Sequence, residues 1–133
     1  MGGADQPPTG NPTIRTIAMP ADTNPACDIF GGWLMSQMDL AAGAVATFTS
    51  GGRSATIAVD GMIFHRPVKV GDEVSLYASL TRVGKTSMTI HVGAWRRPRE
   101  TRASEKVTEA NFVFVALDDA GKPVPVRGLP GTA

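Results

Sequence analysis

A single cysteine, Cys27, among 133 residues leaves no partner for an internal disulfide. The fold therefore rests on a packed core, and the composition suits a reducing compartment, so a cytoplasmic location is expected. An excess of charge of either sign is also missing. The 13 basic and 12 acidic residues leave a formal net charge of +1. That balance gives no broad electrostatic footprint for nucleic acid or for an anionic membrane. No apolar run approaches the roughly 20 residues that span a bilayer. The opening "MGGADQPPTGNP" has neither a basic region nor an apolar stretch, so a signal peptide is not expected. Two histidines, without clustered cysteines or carboxylates, make no metal site. Neither a G-x-S-x-G nucleophile turn nor a Walker-type phosphate loop occurs.

What is present is an ordinary globular balance, 42% apolar and 19% charged, in a length that suits one domain. Residues 1–12 are Gly, Pro and polar and are expected to form a disordered tail. Residues 13–126 are expected to form the single domain, and 127–133 a flexible C-terminal tail.

Within the domain, "TIRTIAM" predicts a first strand over 13–19, and "PADTNPACD" a loop. From Gly31 to about Ser50, Leu34, Met38, Ala41, Val45 and Phe48 recur at helical spacing, widened by Met35 and Ala42. Gly51-Gly52 ends this helix. A helix so apolar requires wrapping by other structure. Strands are then expected over 54–64, over "DEVSLYASLTRV", over "TSMTIHVGAW" and over "KVTEANFVFVAL", with a hairpin turn at Gly84-Lys85. Val74, Leu76, Ala78 and Leu80 share one face, as do Met88, Ile90, Val92 and Ala94. The order predicts an α+β fold: an antiparallel five-stranded sheet wrapped around one long central helix, its last four strands running as a meander. Open hydrophobic edges in such a sheet favour pairing with a second copy.

The chemistry-bearing residues cluster in "NPACDIFGGW", Asn24 to Trp33. Asp28 has two readings, a capping or solvated loop acid, or an acid that activates water or attacks a carbonyl directly. Gly31 and Gly32 open the helix, where backbone N–H groups lack intrahelical acceptors and suit an oxyanion. Asn24 either closes an Asx turn or orients a water beside Asp28. Cys27 has no base beside it in sequence and reads as packing. Arg66, Lys69, Lys85, Arg96, Arg97 and Arg99 serve solubility singly, or as a group hold the phosphates of a nucleotide-bearing ligand.

These residues resemble a known family. "MPADTNPACDIFGGWLMSQMDLAA", followed in order by "FHRPVKVGDEV", "RVGKTSMTIHV" and "VTEANFVFVALDDAGKPVPV", is similar to the hotdog-fold acyl-CoA thioesterases, the short bacterial type related to eukaryotic cytosolic acyl-CoA hydrolases. The resemblance covers roughly residues 14–126. It implies hydrolysis of acyl-CoA to free acid and CoA within lipid metabolism, with no cofactor, because CoA arrives with the substrate. It implies Asp28 as general base or nucleophile with Asn24 beside it, and the Gly31-Gly32 backbone as oxyanion hole. Gly84, Lys85, Thr86 and Ser87 correspond to a segment that contacts CoA, and Arg66 lies in a segment near the site. The implied assembly joins two protomers edge to edge, with active sites between them, as trimers of dimers. One departure is Cys27, where the family often has glycine; a positive φ there would cost a cysteine more. Two other activities remain open: a hotdog acyl-thioester dehydratase, for which His65 is the candidate histidine, and a non-catalytic acyl-CoA sensor.

Overall fold

In the computed structural model residues 6–126 are described. The expected C-terminal tail at 127–133 and the first five residues of the expected N-terminal tail lie outside them. The elements run β1 (Ile14–Ile17), a short 3-10 turn (Pro20–Asp22), α1 (Gly31–Ser50), β2 (Arg53–Asp60), β3 (Glu73–Val83), β4 (Ser87–Arg97) and β5 (Glu105–Leu117). All sheet pairings are antiparallel, in the spatial order β1-β3-β4-β5-β2. The long helix lies against one face of this sheet, the hotdog arrangement.

The helix ends are written in glycine. Gly31 opens α1, and Gly51, at φ +73, takes the left-handed cap position and donates its N–H to Thr47 O at 2.9 Å. Leu34, Met38, Ala41, Ala42 and Ala46 are buried against Val74, Leu76, Met88, Ile90, Val92, Ala94 and Phe112. These strand residues stand two apart because alternate side chains share a face. Each large one contributes about 1.5–3 kcal/mol through burial. Small residues at 41, 42 and 46 let the helix axis approach the sheet.

The structure corrects three expectations. The meander holds only for β3-β4-β5; β2 pairs with β5 at the far edge, not with β3. A three-residue turn, 84–86, forces β3 and β4 together, whereas residues 61–72 form a connection long enough to carry the chain across. The expected strand over 54–64 stops at Asp60, because Gly61 takes φ +78 and breaks the extended run. Phe48, expected in the buried stripe, is 64% exposed; Leu40, on the same open side of the helix, is 61% exposed. The sheet covers one side of α1 only, and the other side opens on a groove of about 780 Å³ between α1 and β2. The outer strand β2 bulges between Thr56 and Ala58 and leaves Ile57 60% exposed. Among the described residues no helix is long and apolar enough to cross a membrane.

Candidate active site

The loop before α1 is closed by Asn24. Its side-chain oxygen accepts the N–H groups of Ala26 at 2.9 Å and of Asp28 at 3.1 Å. Its backbone N–H donates to Asp28 O at 2.7 Å, and its carbonyl accepts from Cys27 N at 2.9 Å. This compact turn is the Asx geometry that asparagine favours. Cys27 sits in it at φ +68, the one non-glycine with positive φ among the described residues. A side chain there carries strain that glycine would not. Cys27→Gly is therefore expected to stabilise the protein by up to about 1 kcal/mol, read as a raised denaturant midpoint. The thiol is exposed, so the change empties no core.

Asp28 follows, and it does not cap the helix. The N-cap is Phe30, with no side-chain capping bond. Phe30 O accepts from Trp33 N and Leu34 N at 3.1 and 3.3 Å. The N–H groups of Gly31 and Gly32 have no acceptor among the described residues. The space above them differs. A Cβ on Gly32 would meet nothing within 4 Å, while one on Gly31 would touch the Phe64 ring at 3.5 Å. Beside Gly31 opens a cavity of about 150 Å³, lined by Ile29, Phe30, Leu34, Phe64 and Val107, with Arg66 at its wall. A half-exposed carboxylate, unengaged helix-start amides and an apolar slot thus occupy one end of α1.

A second layer braces this end. Ile29 N donates to Val68 O at 3.1 Å, clamping the Asp28 loop to the segment before β3. The Lys69 ammonium pairs with Asp28 Oδ1. Lys69 N in turn donates to Asp72 Oδ2 at 2.9 Å, and Asp72 is 3% exposed. Arg96 holds Asp72 at 2.9 Å and Glu105 at 2.9 Å. Burial works against the Arg96 charge, but its bonds to Glu105 and Asp72 outweigh that and raise its pKa above the ordinary guanidinium value. Arg96 is thus spent inside the fold and does not join a phosphate-holding group. Arg66 donates to Lys106 O at 2.6 Å.

The residues singled out from sequence fall in two places. Asn24, Asp28, Gly31 and Gly32 come together at the start of α1, with Arg66 at the wall of the slot. Gly84, Lys85, Thr86 and Ser87 form the β3-β4 hairpin turn, where Gly84 N donates to Ser87 O at 2.8 Å. That turn lies at the other end of β3, which has 11 residues, about 35 Å away along the strand at ~3.3 Å per residue. One chain does not bring it to Asp28. His65 lines a different depression with Arg66, Lys106 and Glu109, and is absent from the slot. His91 lies on the sheet face opposite the helix, 2.9 Å from Glu109 Oε1. The bonds from His91 and Lys106 hold the Glu109 carboxyl below its ordinary value. Among the described residues no three His, Cys, Asp or Glu gather as a metal site.

The Lys69–Asp28 pair and the Asp72–Arg96–Glu105 network were not visible as such in the sequence. Lys69 looked like one of several scattered cations. The one local cue was "VGD", a glycine-aspartate turn directly ahead of a strand, with Gly71 at φ +91 and Asp72 folded inward behind it.

Comparison with known proteins bears on this geometry. Residues 28–103 match the family model described as the thioesterase superfamily. The acyl-CoA thioester hydrolase YciA of Escherichia coli is 48% identical over 129 residues, spanning 92% of this chain and 93% of that protein. The crystal structure of a hexameric thioesterase from Yersinia pestis superposes with a TM-score of 0.83 at 48% identity, covering 95% of this chain and all of that one (100%). The acyl-CoA hydrolase of Staphylococcus aureus, solved with butyryl-CoA and with coenzyme A, superposes with a TM-score of 0.80 at 31% identity, covering 87% of this chain and 71% of that one.

Proposed function

The chain belongs to the thioesterase superfamily, and from that membership we propose that it hydrolyses acyl-CoA thioesters to a free carboxylic acid and CoA. The observation that carries the reading is that the loop holding Asp28 runs directly into α1, where the N–H groups of Gly31 and Gly32 have no acceptor among the described residues. Thioester hydrolysis needs both. The carbonyl oxygen gains negative charge as it is attacked, and fixed backbone donors at a helix start stabilise that charge without reorganising. Asp28 takes the proton from the attacking water, or attacks the carbonyl itself through an anhydride that water then opens. In either route the C–S bond breaks, the CoA thiolate leaves and is protonated, and the acyl group departs as a carboxylate. The Asn24 side-chain oxygen is committed to the turn, which leaves its NH2 group to orient the water or the carbonyl. CoA enters as part of the substrate, so the chemistry calls for no separate cofactor.

The acyl chain fits the apolar slot beside Gly31, which Phe64 closes on one side. The CoA end is a matter for two chains. The 84–87 turn is too far from Asp28 of its own chain, and the uncovered β2 edge and helix face are apolar enough to seat a copy. The active unit in this reading is a dimer joined along β2, with the thioester between protomers and Lys85 and its neighbours of one chain serving the Asp28 of the other. A trimer of such dimers matches the hexamers among the related structures. The cytoplasmic pool of acyl-CoA in lipid metabolism is the setting that suits it.

A panel of acyl-CoAs from short to long chains, incubated with the protein and a thiol reagent, tests the activity. Thiol release on several members is expected; binding without release would favour an acyl-CoA sensor instead. In the same panel Phe64→Ala is expected to shift the preference toward longer or bulkier acyl groups, roughly tenfold in relative kcat/KM. An unchanged profile would take Phe64 out of the slot.

A further inference from the structure

We propose that Lys69 is a positioning residue for Asp28, its ammonium holding Oδ1 so that Oδ2 is the oxygen presented to the reaction. This rests on the reading of Asp28 as the catalytic acid.

The pairing itself is the first observation: Lys69 Nζ meets Asp28 Oδ1, whereas Asp28 Oδ2 accepts nothing among the described residues. The second is that both partners are carried on braced backbone. Ile29, next after Asp28, donates to the carbonyl of Val68, just before Lys69, at 3.1 Å. Lys69 N donates to Asp72 Oδ2 at 2.9 Å, and Asp72 N returns a bond to Lys69 O at 3.0 Å. Asp72 is buried and held by Arg96, which Glu105 holds in turn. The base of the lysine is therefore fixed to the core, and only its flexible stem spans the gap to the loop acid.

Stability does not account for the pair. The side chains are 54% and 39% exposed, and ion pairs this open to water contribute little to folding. Orientation accounts for it better. A carboxylate on an exposed loop rotates about its last bond and offers either oxygen in turn. An ammonium on one oxygen removes that freedom. Catalysis is sensitive to such placement, since a misplacement of about 1 Å costs on the order of 10² in rate. When an acyl-CoA covers the site and displaces water, the same ammonium also replaces the hydration that Oδ1 loses.

The test is a set of variants assayed by thiol release, with assembly followed by light scattering. Lys69→Met is expected to lower kcat about tenfold, with KM changed less than about twofold and the assembly intact. Lys69→Arg, which keeps a cation able to reach Oδ1, is expected to recover most of the loss. In an Asp28→Asn background, Lys69→Met is expected to add nothing, because a residue that acts through Asp28 has nothing left to orient. An unchanged or raised kcat in Lys69→Met overturns the proposal while leaving Asp28 untouched, provided Asp28→Asn alone is impaired. Equal losses from Lys69→Met in both backgrounds also overturn it. A fully active Asp28→Asn overturns the reading of Asp28 and this inference with it.

Discussion

Asp28→Asn is expected to leave the fold and assembly in place and to lower acyl-CoA turnover by about 100-fold or more, the scale of losing a positioned acid–base group. The structure explains why the protein should tolerate the change. Asp28 does not cap α1, so no helix end loses a partner. The bonds that close its loop run through its backbone to Asn24, and those survive any change of side chain. What the variant loses is a charge paired with Lys69, and a half-exposed pair contributes little to stability. A fall in kcat with an unchanged melting temperature and unchanged assembly therefore isolates the chemical role. Asp28→Ala gives the same test with the side chain shortened. If the Asn variant is correctly assembled and turns over substrate at the normal rate, the acid is not in the mechanism. The Gly31 and Gly32 amides would then have to act with another source of activated water.

How much of this was legible in the sequence differs from one element to the next. The bounds of α1 were legible because doublets of glycine stand at both ends of a run with helical apolar period. The faces of β3 and β4 were legible because alternation assigns a face residue by residue. The place of β2 was not, since a strand pattern says which side chains point inward and nothing about which neighbour supplies the ladder. Phe48 failed for a related reason. Periodicity reports what an apolar stripe is suited to bury, and this chain alone lacks the layer that would bury it. The placing of Asn24, Asp28, Gly31 and Gly32 at one helix start was legible because they fall within one short stretch, and a loop running into a helix keeps such neighbours close. Lys69 was not, because its partner is 41 positions away and only the folded β1-β3 side of the sheet joins them. The expected cost of a cysteine at position 27 has a physical basis in the chain, since Cys27 takes φ +68.

The double variant Phe48→Asp, Ile57→Asp is expected to convert the assembly to folded monomers and to reduce thioesterase activity by about 100-fold or more. Both residues lie on the side the sheet leaves bare, at 64% and 60% exposure, and neither belongs to the buried core of one chain. Replacing them therefore takes little from the protomer. In an interface with two-fold symmetry each change appears twice, so four carboxylates would face one another across the joint. Burying them unpaired opposes association far more than the loss of the apolar contacts alone, which are worth about 1.5–3 kcal/mol for each side chain. The effect on activity follows from distance. Within one chain the 84–87 turn and Asp28 stand at opposite ends of β3, about 35 Å apart along an 11-residue strand. A monomer would keep the acid, the helix-start amides and the 150 Å³ slot but would lose the surface proposed to hold the CoA end. Sedimentation velocity reads the first expectation and thiol release the second, with circular dichroism as the check on folding. A variant that remains assembled would show that the bare helix face and β2 are not the joint. A monomer with full activity would show that one chain completes its own site and would overturn the proposed two-chain site.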